Sequence, residues 1–159
     1  MEAGTNRASA GATKTAPAVE LNQLSEYRFE IRFAPGLPAL QSDEGQPLGK
    51  GEGPSPVQLL VAGVCNCLCA SLHFALGRQH DMADPISAVG VASIGRNAEN
   101  RLRVQGIRVN LKLGVPAAAL PHLDKVLGQF EDYCTVTQSV RAAIPVEVQV
   151  YDGDGNRLR

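Results

Sequence analysis

The feature that most constrains the fold is a long apolar stretch near the middle of the sequence. Between positions 57 and 72 the polar residues are Gln58, Asn66 and Ser71. Ser55 and Pro56 come directly before this stretch, and Gln58 stands three residues after Ser55. This is the pattern of a capping box with proline at the first helical position. The sequence therefore predicts a helix from Pro56 to about Gln79. Because this helix is apolar nearly all round, we expect it to be buried.

The same stretch raises the question of a membrane span. Asn66 interrupts it, and its uninterrupted apolar runs are far shorter than the ~18 residues that indicate a span. We therefore interpret it as a core helix and expect no membrane partner. A helix that is apolar on every side is difficult to bury within one small domain. A second subunit would cover it, so the sequence predicts a homodimer.

Several other stretches alternate apolar and polar residues with the period of a β-strand. They lie at positions 27–33, 86–94, 102–113 and 146–150, and Gly106 marks a predicted bulge in the third. Such alternation is typical of antiparallel strands with one packed and one solvated face. Helical spacing of apolar residues predicts an amphipathic helix from Leu120 to near Tyr133, and a second capping-box pattern at Thr135 predicts a short helix to about Ala143. The predicted fold class is α+β, with antiparallel sheets wrapped around a long buried central helix.

Both ends of the chain have the composition of solvated tails. Residues 1–24 are rich in small and polar residues without a period, which indicates a flexible N-terminal tail. Residues 152–159 are also polar, and although Asp152, Asp154 and Asn156 are spaced like the start of a calcium loop, the closing Glu is missing. We interpret them as a polar C-terminal tail. The predicted domain therefore spans residues 25–151.

The charge and composition exclude some classes of partner. The formal net charge is −1, aromatic residues make up 4% and Trp is absent, so we expect no nucleic-acid partner. The first twenty residues lack the apolar core of a secretory signal. We therefore expect a cytoplasmic protein whose four cysteines, Cys65, Cys67, Cys69 and Cys134, stay reduced.

Three of these cysteines fall on the predicted core helix. Cys65 and Cys69 share one helix face, whereas Cys67 lies ~200° around the axis. One helix cannot direct all three thiols at one metal ion, so we expect no metal site and interpret Cys65 and Cys69 as small buried apolar residues. Cys134 directly precedes the predicted helix at Thr135, a position that favours the thiolate. A cysteine with no role in a turn is an equally open interpretation.

The order of these motifs resembles a known family. The run Gly-Pro-Ser-Pro-Val-Gln-Leu-Leu-Val-Ala-Gly-Val-Cys-Asn-Cys67 is similar to the start of the buried helix of the OsmC/Ohr family (osmotically inducible protein C and organic hydroperoxide resistance protein). In that family the reactive cysteine follows the helix-starting proline by eleven residues, as Cys67 follows Pro56. The segment Tyr-Cys134-Thr-Val-Thr-Gln-Ser resembles the second cysteine motif, and the ending Ile-Pro-Val-Glu-Val-Gln-Val resembles the final strand. The resemblance covers residues 27–151.

The resemblance implies a fold, an activity and two site residues. Family members form intertwined homodimers, and the characterised ones are thiol peroxidases that reduce organic hydroperoxides in oxidative stress defence. By this resemblance Cys67 is the peroxidatic cysteine and Cys134 is the resolving cysteine. A small or protein-bound dithiol of the lipoyl type is the implied reductant. No metal and no organic cofactor are implied.

One departure from the family pattern supports an alternative function. The peroxidases have a Glu directly after the helix-starting proline, which holds an Arg against the reactive thiol, and here that position is Val57. The nearest carboxylate is Glu52, and Arg32, the Arg closest to the early hairpin turn, is interpreted as a solvated strand residue. The alternative is a catalytically weak or inactive dimer of this fold that binds a small apolar ligand near Cys67.

Overall fold

The computed structural model describes residues 18–159, so residues 1–17 of the predicted N-terminal tail lie outside the described part. The chain divides into two compact units, the first ending at Gly53 and the second spanning Pro54–Arg159. The α+β class is confirmed, since the two units contain two small sheets and one long helix.

The first unit is built on a three-stranded antiparallel sheet. Its strands, in spatial order, are β1 (Glu20–Ser25), β2 (Arg28–Arg32) and β3 (Leu40–Ser42). The prediction of a tail as far as residue 24 was wrong, because β1 begins at Glu20. All six side chains of β1 are exposed, so hydrogen bonds to β2 rather than apolar alternation define this strand.

The loop that closes the first unit is held by Asp43. Its buried carboxylate accepts the backbone N–H groups of Lys50 at 3.0 Å and of Glu52 at 3.1 Å. The hydrogen bond from the backbone of Glu52, followed by those from neighbouring backbone groups, lowers the pKa of Asp43 below its ordinary value. Further along, Glu52 forms an ion pair with Arg28 of β2.

The second unit begins with the predicted helix, α1 (Pro56–Gly77). Its capping box is confirmed: the N–H of Gln58 donates to Ser55 Oγ at 3.3 Å, and the Ser55 N–H donates to Gln58 Oε1 at 2.8 Å. Among residues 18–159, α1 is the one helix long and apolar enough to cross a membrane by length and composition, criteria that core helices of soluble proteins also meet.

Burial of α1 is confined to part of its circumference. The buried side chains are Val61, Val64, Leu68, Ser71, Leu72, Ala75 and Leu76. The residues that remain exposed in the single chain include Ala62, Gly63, Asn66, Ala70, His73 and Phe74. The expectation that the helix is buried on all sides is therefore met on one side only within this chain.

The sheet of the second unit packs against α1. Its order is β4 (Ser87–Arg96), β5 (Leu102–Lys112) and β6 (Val146–Tyr151), and its inner face includes the fully buried Val109 and Val150. The strands β4 and β5 are antiparallel, with the predicted bulge where Gly106 pairs with Ser93. In contrast, β6 runs parallel to β5, which corrects the all-antiparallel prediction. The reason is that the segment between them contains helices and forms a crossover, the connection that parallel strands require.

The crossover contains short helices rather than the single amphipathic helix expected up to Tyr133. It contains α2 (Leu123–Leu127), a 3₁₀ turn at Phe130–Tyr133 and α3 (Thr135–Arg141). Gly128 forms the C-cap of α2 and ends it early. The N-cap of α3 is Cys134 rather than Thr135. The side-chain amide of Gln138 donates to the Glu131 carbonyl at 3.0 Å and so does not complete a capping box.

The C-terminal residues fold back on the second unit, so the prediction of a polar tail at 152–159 was wrong. Tyr151 forms an antiparallel bridge with Arg157. The buried Asp152 carboxylate accepts the Asn156 N–H at 2.8 Å and the Ala117 N–H at 3.4 Å. The segment 152–156, whose spacing resembles the start of a calcium loop, therefore forms a turn in which the Asp152 carboxylate accepts backbone hydrogen bonds.

Candidate active site

The structure brings the two predicted site cysteines together. Cys67 lies on the side of α1 that contacts the 3₁₀ turn and α3, and Cys134 joins those two elements. The Cys67 thiol lies close enough to Cys134 to raise the pKa of the Cys134 thiol, and both cysteines are free. Cys67 is half-buried, whereas Cys134 is 0% exposed. The pair therefore consists of one partly exposed cysteine and one enclosed cysteine.

Cys134 has a second polar neighbour that the sequence did not predict as a site residue. Its Sγ lies 2.9 Å from the Oγ1 of Thr137, whose side chain is also 0% exposed. Burial is the main factor that raises the pKa of the Cys134 thiol, and the Cys67 thiol adds to that rise. The hydroxyl and the backbone N–H of Thr137 act in the opposite direction and lower this pKa. Its position three residues after the capping Cys134 is a sequence signal that could have identified Thr137.

Glu131 fixes the backbone that carries Cys134. Its carbonyl oxygen accepts the Cys134 N–H at 3.0 Å. Its carboxylate, with a side chain only 8% exposed, forms ion pairs with Arg141 of α3 and, at 2.7 Å, with Arg159. No sequence pattern marks this cluster, because its members are separated along the chain and Arg159 reaches Glu131 only through the folded-back C-terminal segment.

Cys65 and Cys69 face away from this pair, as the helical spacing predicted. Cys65 Sγ lies against the backbone of Gly90 in β4, in space that a Cβ atom at Gly90 would occupy. Burial raises the pKa of both Cys65 and Cys69. Among residues 18–159, no group of three or more His, Cys, Asp or Glu side chains is arranged to hold a metal ion.

Two aromatic rings lie on the same side of α1 as Cys67. Phe74 follows Cys67 by two helical turns, and its ring meets that of Tyr133, the residue before Cys134, edge to face at 5.7 Å between centroids. Both rings are about half-exposed. They form an apolar surface beside the cysteine pair.

The charged residues considered from the sequence have other partners. Arg32 donates to Glu30 at 2.8 Å and its side chain is solvent-exposed, as interpreted. Glu52 forms an ion pair with Arg28, a residue that no motif in the sequence marks. At the family's Glu position stands Val57, and the adjacent Gln58 is engaged in the helix cap.

Comparisons with known proteins agree on one family. The sequence model described as OsmC-like protein matches residues 49–149. No curated protein sequence matches this chain.

Three solved structures illustrate the similarity of fold. An OsmC-like protein of Vibrio cholerae has 13% identity and a TM-score of 0.72, covering 86% of this chain and 99% of its own. The OsmC organic hydroperoxide resistance protein of Legionella pneumophila has 17% identity and a TM-score of 0.66, with 87% and 98% covered. The organic hydroperoxide resistance protein OhrB of Bacillus subtilis has 15% identity and a TM-score of 0.66, with 86% and 98% covered. Because the matched region spans well over half of the sequence, the chain belongs to the OsmC-like protein family.

Proposed function

We propose that this protein is a thiol-dependent peroxidase that reduces organic hydroperoxides, with Cys67 as the peroxidatic cysteine and Cys134 as the resolving cysteine. The observation that carries the proposal is the proximity of two free cysteines, one half-buried and one enclosed. Membership of the OsmC-like family, together with neighbours named as organic hydroperoxide resistance proteins, supports a role in peroxide-related stress.

The reaction needs only the two cysteines, a hydroperoxide and a reductant. The Cys67 thiolate attacks the terminal peroxide oxygen, the O–O bond breaks, and the leaving alkoxide takes a proton to become an alcohol. Cys67 is then a sulfenic acid. The Cys134 thiol condenses with it, forming a disulfide and releasing water. A dithiol of the lipoyl type restores both thiols by exchange, so neither a metal nor an organic cofactor takes part.

The surroundings of the pair favour an organic over an inorganic peroxide. Phe74 and Tyr133 present half-exposed rings on the Cys67 side of α1, and burying apolar surface against such rings is favourable. A hydroperoxide with an alkyl or aryl group is therefore the proposed substrate. We assign the reaction to the cytoplasm, where thiols are kept reduced.

The test is disulfide mapping after a single turnover. Reduced protein receives one equivalent of an organic hydroperoxide and is then analysed by peptide mass spectrometry, alongside Cys67→Ser, Cys134→Ser and the control Cys69→Ser. We expect a Cys67–Cys134 disulfide in the wild type and in Cys69→Ser, and in neither of the other variants. Thiols that remain unmodified over minutes would refute the peroxidase.

A second function is favoured by one specific observation. The position after Pro56 is Val57, and Gln58 is committed to the helix cap, so neither supplies the carboxylate found there in the peroxidases. The alternative is a catalytically weak or inactive protein that binds a small apolar ligand beside Cys67. This alternative predicts saturable binding of an apolar ligand, measured by titration calorimetry, without hydroperoxide consumption.

We also propose that the protein is a homodimer. The exposed residues of α1 include Ala62, Gly63, Ala70 and the half-exposed Phe74, together with Asn66 and His73. An exposed, largely apolar helix face of this kind marks an interaction site. Sedimentation velocity at micromolar concentration is expected to give the mass of two chains. A single-chain mass would refute the dimer and leave the peroxidase chemistry to be judged by the disulfide experiment.

A further inference from the structure

The two cysteines of the candidate site differ in solvent exposure. Cys134 Sγ belongs to a side chain that is 0% exposed, and its hydroxyl neighbour Thr137 is equally enclosed. Cys67 is only half-buried. Thiol–disulfide exchange requires the incoming thiolate to approach one sulfur of the disulfide, and access decides which sulfur is attacked.

Resting on the proposed function, we infer that reduction of the Cys67–Cys134 disulfide has a fixed direction: the dithiol attacks Cys67, and Cys134 leaves as a thiolate stabilised by the buried hydroxyl of Thr137. Thr137 touches the leaving sulfur rather than the incoming dithiol. Its contribution is therefore to lower the barrier for departure of Cys134.

The steps balance in atoms and electrons. A thiolate of the dithiol attacks Cys67 Sγ, a new S–S bond forms there, and the Cys67–Cys134 bond breaks with its electron pair remaining on Cys134. The second thiol of the reductant loses its proton and attacks the reductant's other sulfur, the one bonded to Cys67. This releases Cys67 as a thiolate. The dithiol is oxidised to a cyclic disulfide by two electrons. Its two protons account for the two thiols regenerated on the protein.

The hydroxyl of Thr137 suits both states of Cys134. It accepts a hydrogen bond from the thiol over the 2.9 Å distance between Sγ and Oγ1, and rotation about its C–O bond lets it donate to the thiolate instead. A thiolate in an enclosed apolar site is otherwise disfavoured, because burial raises the pKa of Cys134. A lower pKa of the leaving thiol makes it depart faster, so removing the hydroxyl should slow reduction.

The first experiment locates the attack. The disulfide is formed either with an organic hydroperoxide or with diamide, which oxidises thiols without a peroxide. A monothiol, 2-mercaptoethanol, is then added briefly, the reaction is quenched with acid, and the adduct is mapped by mass spectrometry. We expect the early adduct on Cys67 with Cys134 as the free thiol. An early adduct on Cys134 would overturn the inference.

The second experiment tests Thr137 with two matched variants. Thr137→Val removes the hydroxyl and keeps the side-chain shape, whereas Thr137→Ser keeps the hydroxyl. Reduction of the preformed disulfide by dihydrolipoic acid should be slowed about tenfold in Thr137→Val, the factor expected for one hydrogen bond to a charged sulfur, and should stay near wild type in Thr137→Ser. Equal rates in the wild type and Thr137→Val would refute the role of the hydroxyl.

The outcomes separate this inference from the proposed function. If diamide forms the disulfide and the hydroperoxide does not, the peroxidase is refuted while the direction of reduction is still decided by the adduct map. If neither oxidant joins the two cysteines, both are refuted. If Thr137→Val does not fold, as judged by circular dichroism, the adduct map in wild-type protein still decides the point of attack.

Discussion

Glu131 gives the sharpest test of how the candidate site is held in place. Its carboxylate joins Arg141 of α3 to Arg159 of the C-terminal segment, and its carbonyl oxygen holds the N–H of Cys134. We consider the substitution Glu131→Gln, which removes the negative charge and keeps the shape and one acceptor oxygen. We expect it to destabilise the folded protein and to loosen the backbone at Cys134.

The magnitude follows from the exposure of the three groups. Glu131 is 8% exposed, whereas the side chains of Arg141 and Arg159 are 35% and 42% exposed. Hydrogen bonds to charged groups contribute about 1.5–3 kcal/mol each, and breaking a fully buried ion pair costs about 3–5 kcal/mol. Because both guanidinium groups can regain water, we expect a smaller loss of about 2 kcal/mol in the free energy of unfolding. For a chain of this size that is a fall in Tm of about 4–8 °C.

The assay is urea unfolding followed by circular dichroism, at one protein concentration, with amide hydrogen exchange of Cys134 as a local readout. The matched control is Glu147→Gln, which removes the carboxylate of the exposed ion pair with Arg108 and should leave the unfolding midpoint unchanged, because exposed pairs contribute little. Equal unfolding midpoints for Glu131→Gln and the control would show that the buried cluster does not stabilise this segment, and would refute the reasoning.

Three further predictions concern the second unit. The hydrogen bond from the Asn156 side chain, together with backbone N–H groups, lowers the pKa of Asp152 below its ordinary value of 3.8. The ionised Asp152 carboxylate therefore contributes its full stabilisation above pH 3.8, and this stabilisation is lost as the pH falls through the lower folded-state pKa. Asp152→Asn should reduce stability at pH 7 and flatten the acid limb of a Tm-against-pH curve, and an unchanged acid limb would contradict this. Leu72→Ala should lower the unfolding free energy by about 2–5 kcal/mol, measured in urea, because Leu72 is 0% exposed; a loss well below that range would mean that the helix face is not packed as described. Gly90→Ala should cost about 1–3 kcal/mol by colliding with the Cys65 side chain, and combining it with Cys65→Ala should restore part of the loss, whereas strictly additive effects would exclude that contact.

Local signals explain what could be predicted from the sequence. The helix α1 was predicted at nearly its observed bounds, because Ser55, Pro56 and Gln58 specify its start and its apolar residues are contiguous. The bulge at Gly106 was visible as a change of phase in the alternating pattern. In contrast, the parallel direction of β6 leaves no trace in that pattern. β6 lies at the edge of its sheet with Glu147 exposed, so its residues alternate as they would in an antiparallel strand. The strand β1 was missed because all of its side chains are exposed.

Part of the candidate site could be predicted from sequence motifs, and part of it depends on the tertiary structure. Cys67 and Cys134 were predicted from the resemblance of their two motifs to those of the OsmC/Ohr family, which requires no knowledge of the tertiary structure. The contact of Thr137 with Cys134, and the pairing of Glu131 with Arg159, depend on how the crossover and the C-terminal segment fold. Thr137 is marked in the sequence by its position three residues after Cys134. In contrast, no sequence pattern connects Glu131 with Arg159, so that pairing is visible only in three dimensions.

The helical period places the three cysteines of α1 on different sides of the helix. Cys67 lies beside Cys134, whereas Cys65 lies against Gly90 on the other side of the helix and Cys69 shares that face. Burial raises the pKa of Cys65 and Cys69, so little of either is thiolate at neutral pH, and thiolate is the form that reacts. A rigid helix cannot rotate one of them towards Cys134 without losing its packing on β4. We therefore expect that in oxidised protein an alkylating reagent added after unfolding labels Cys65 and Cys69 fully, and a disulfide from either to Cys134 would mean that α1 does not hold its thiols on separate faces.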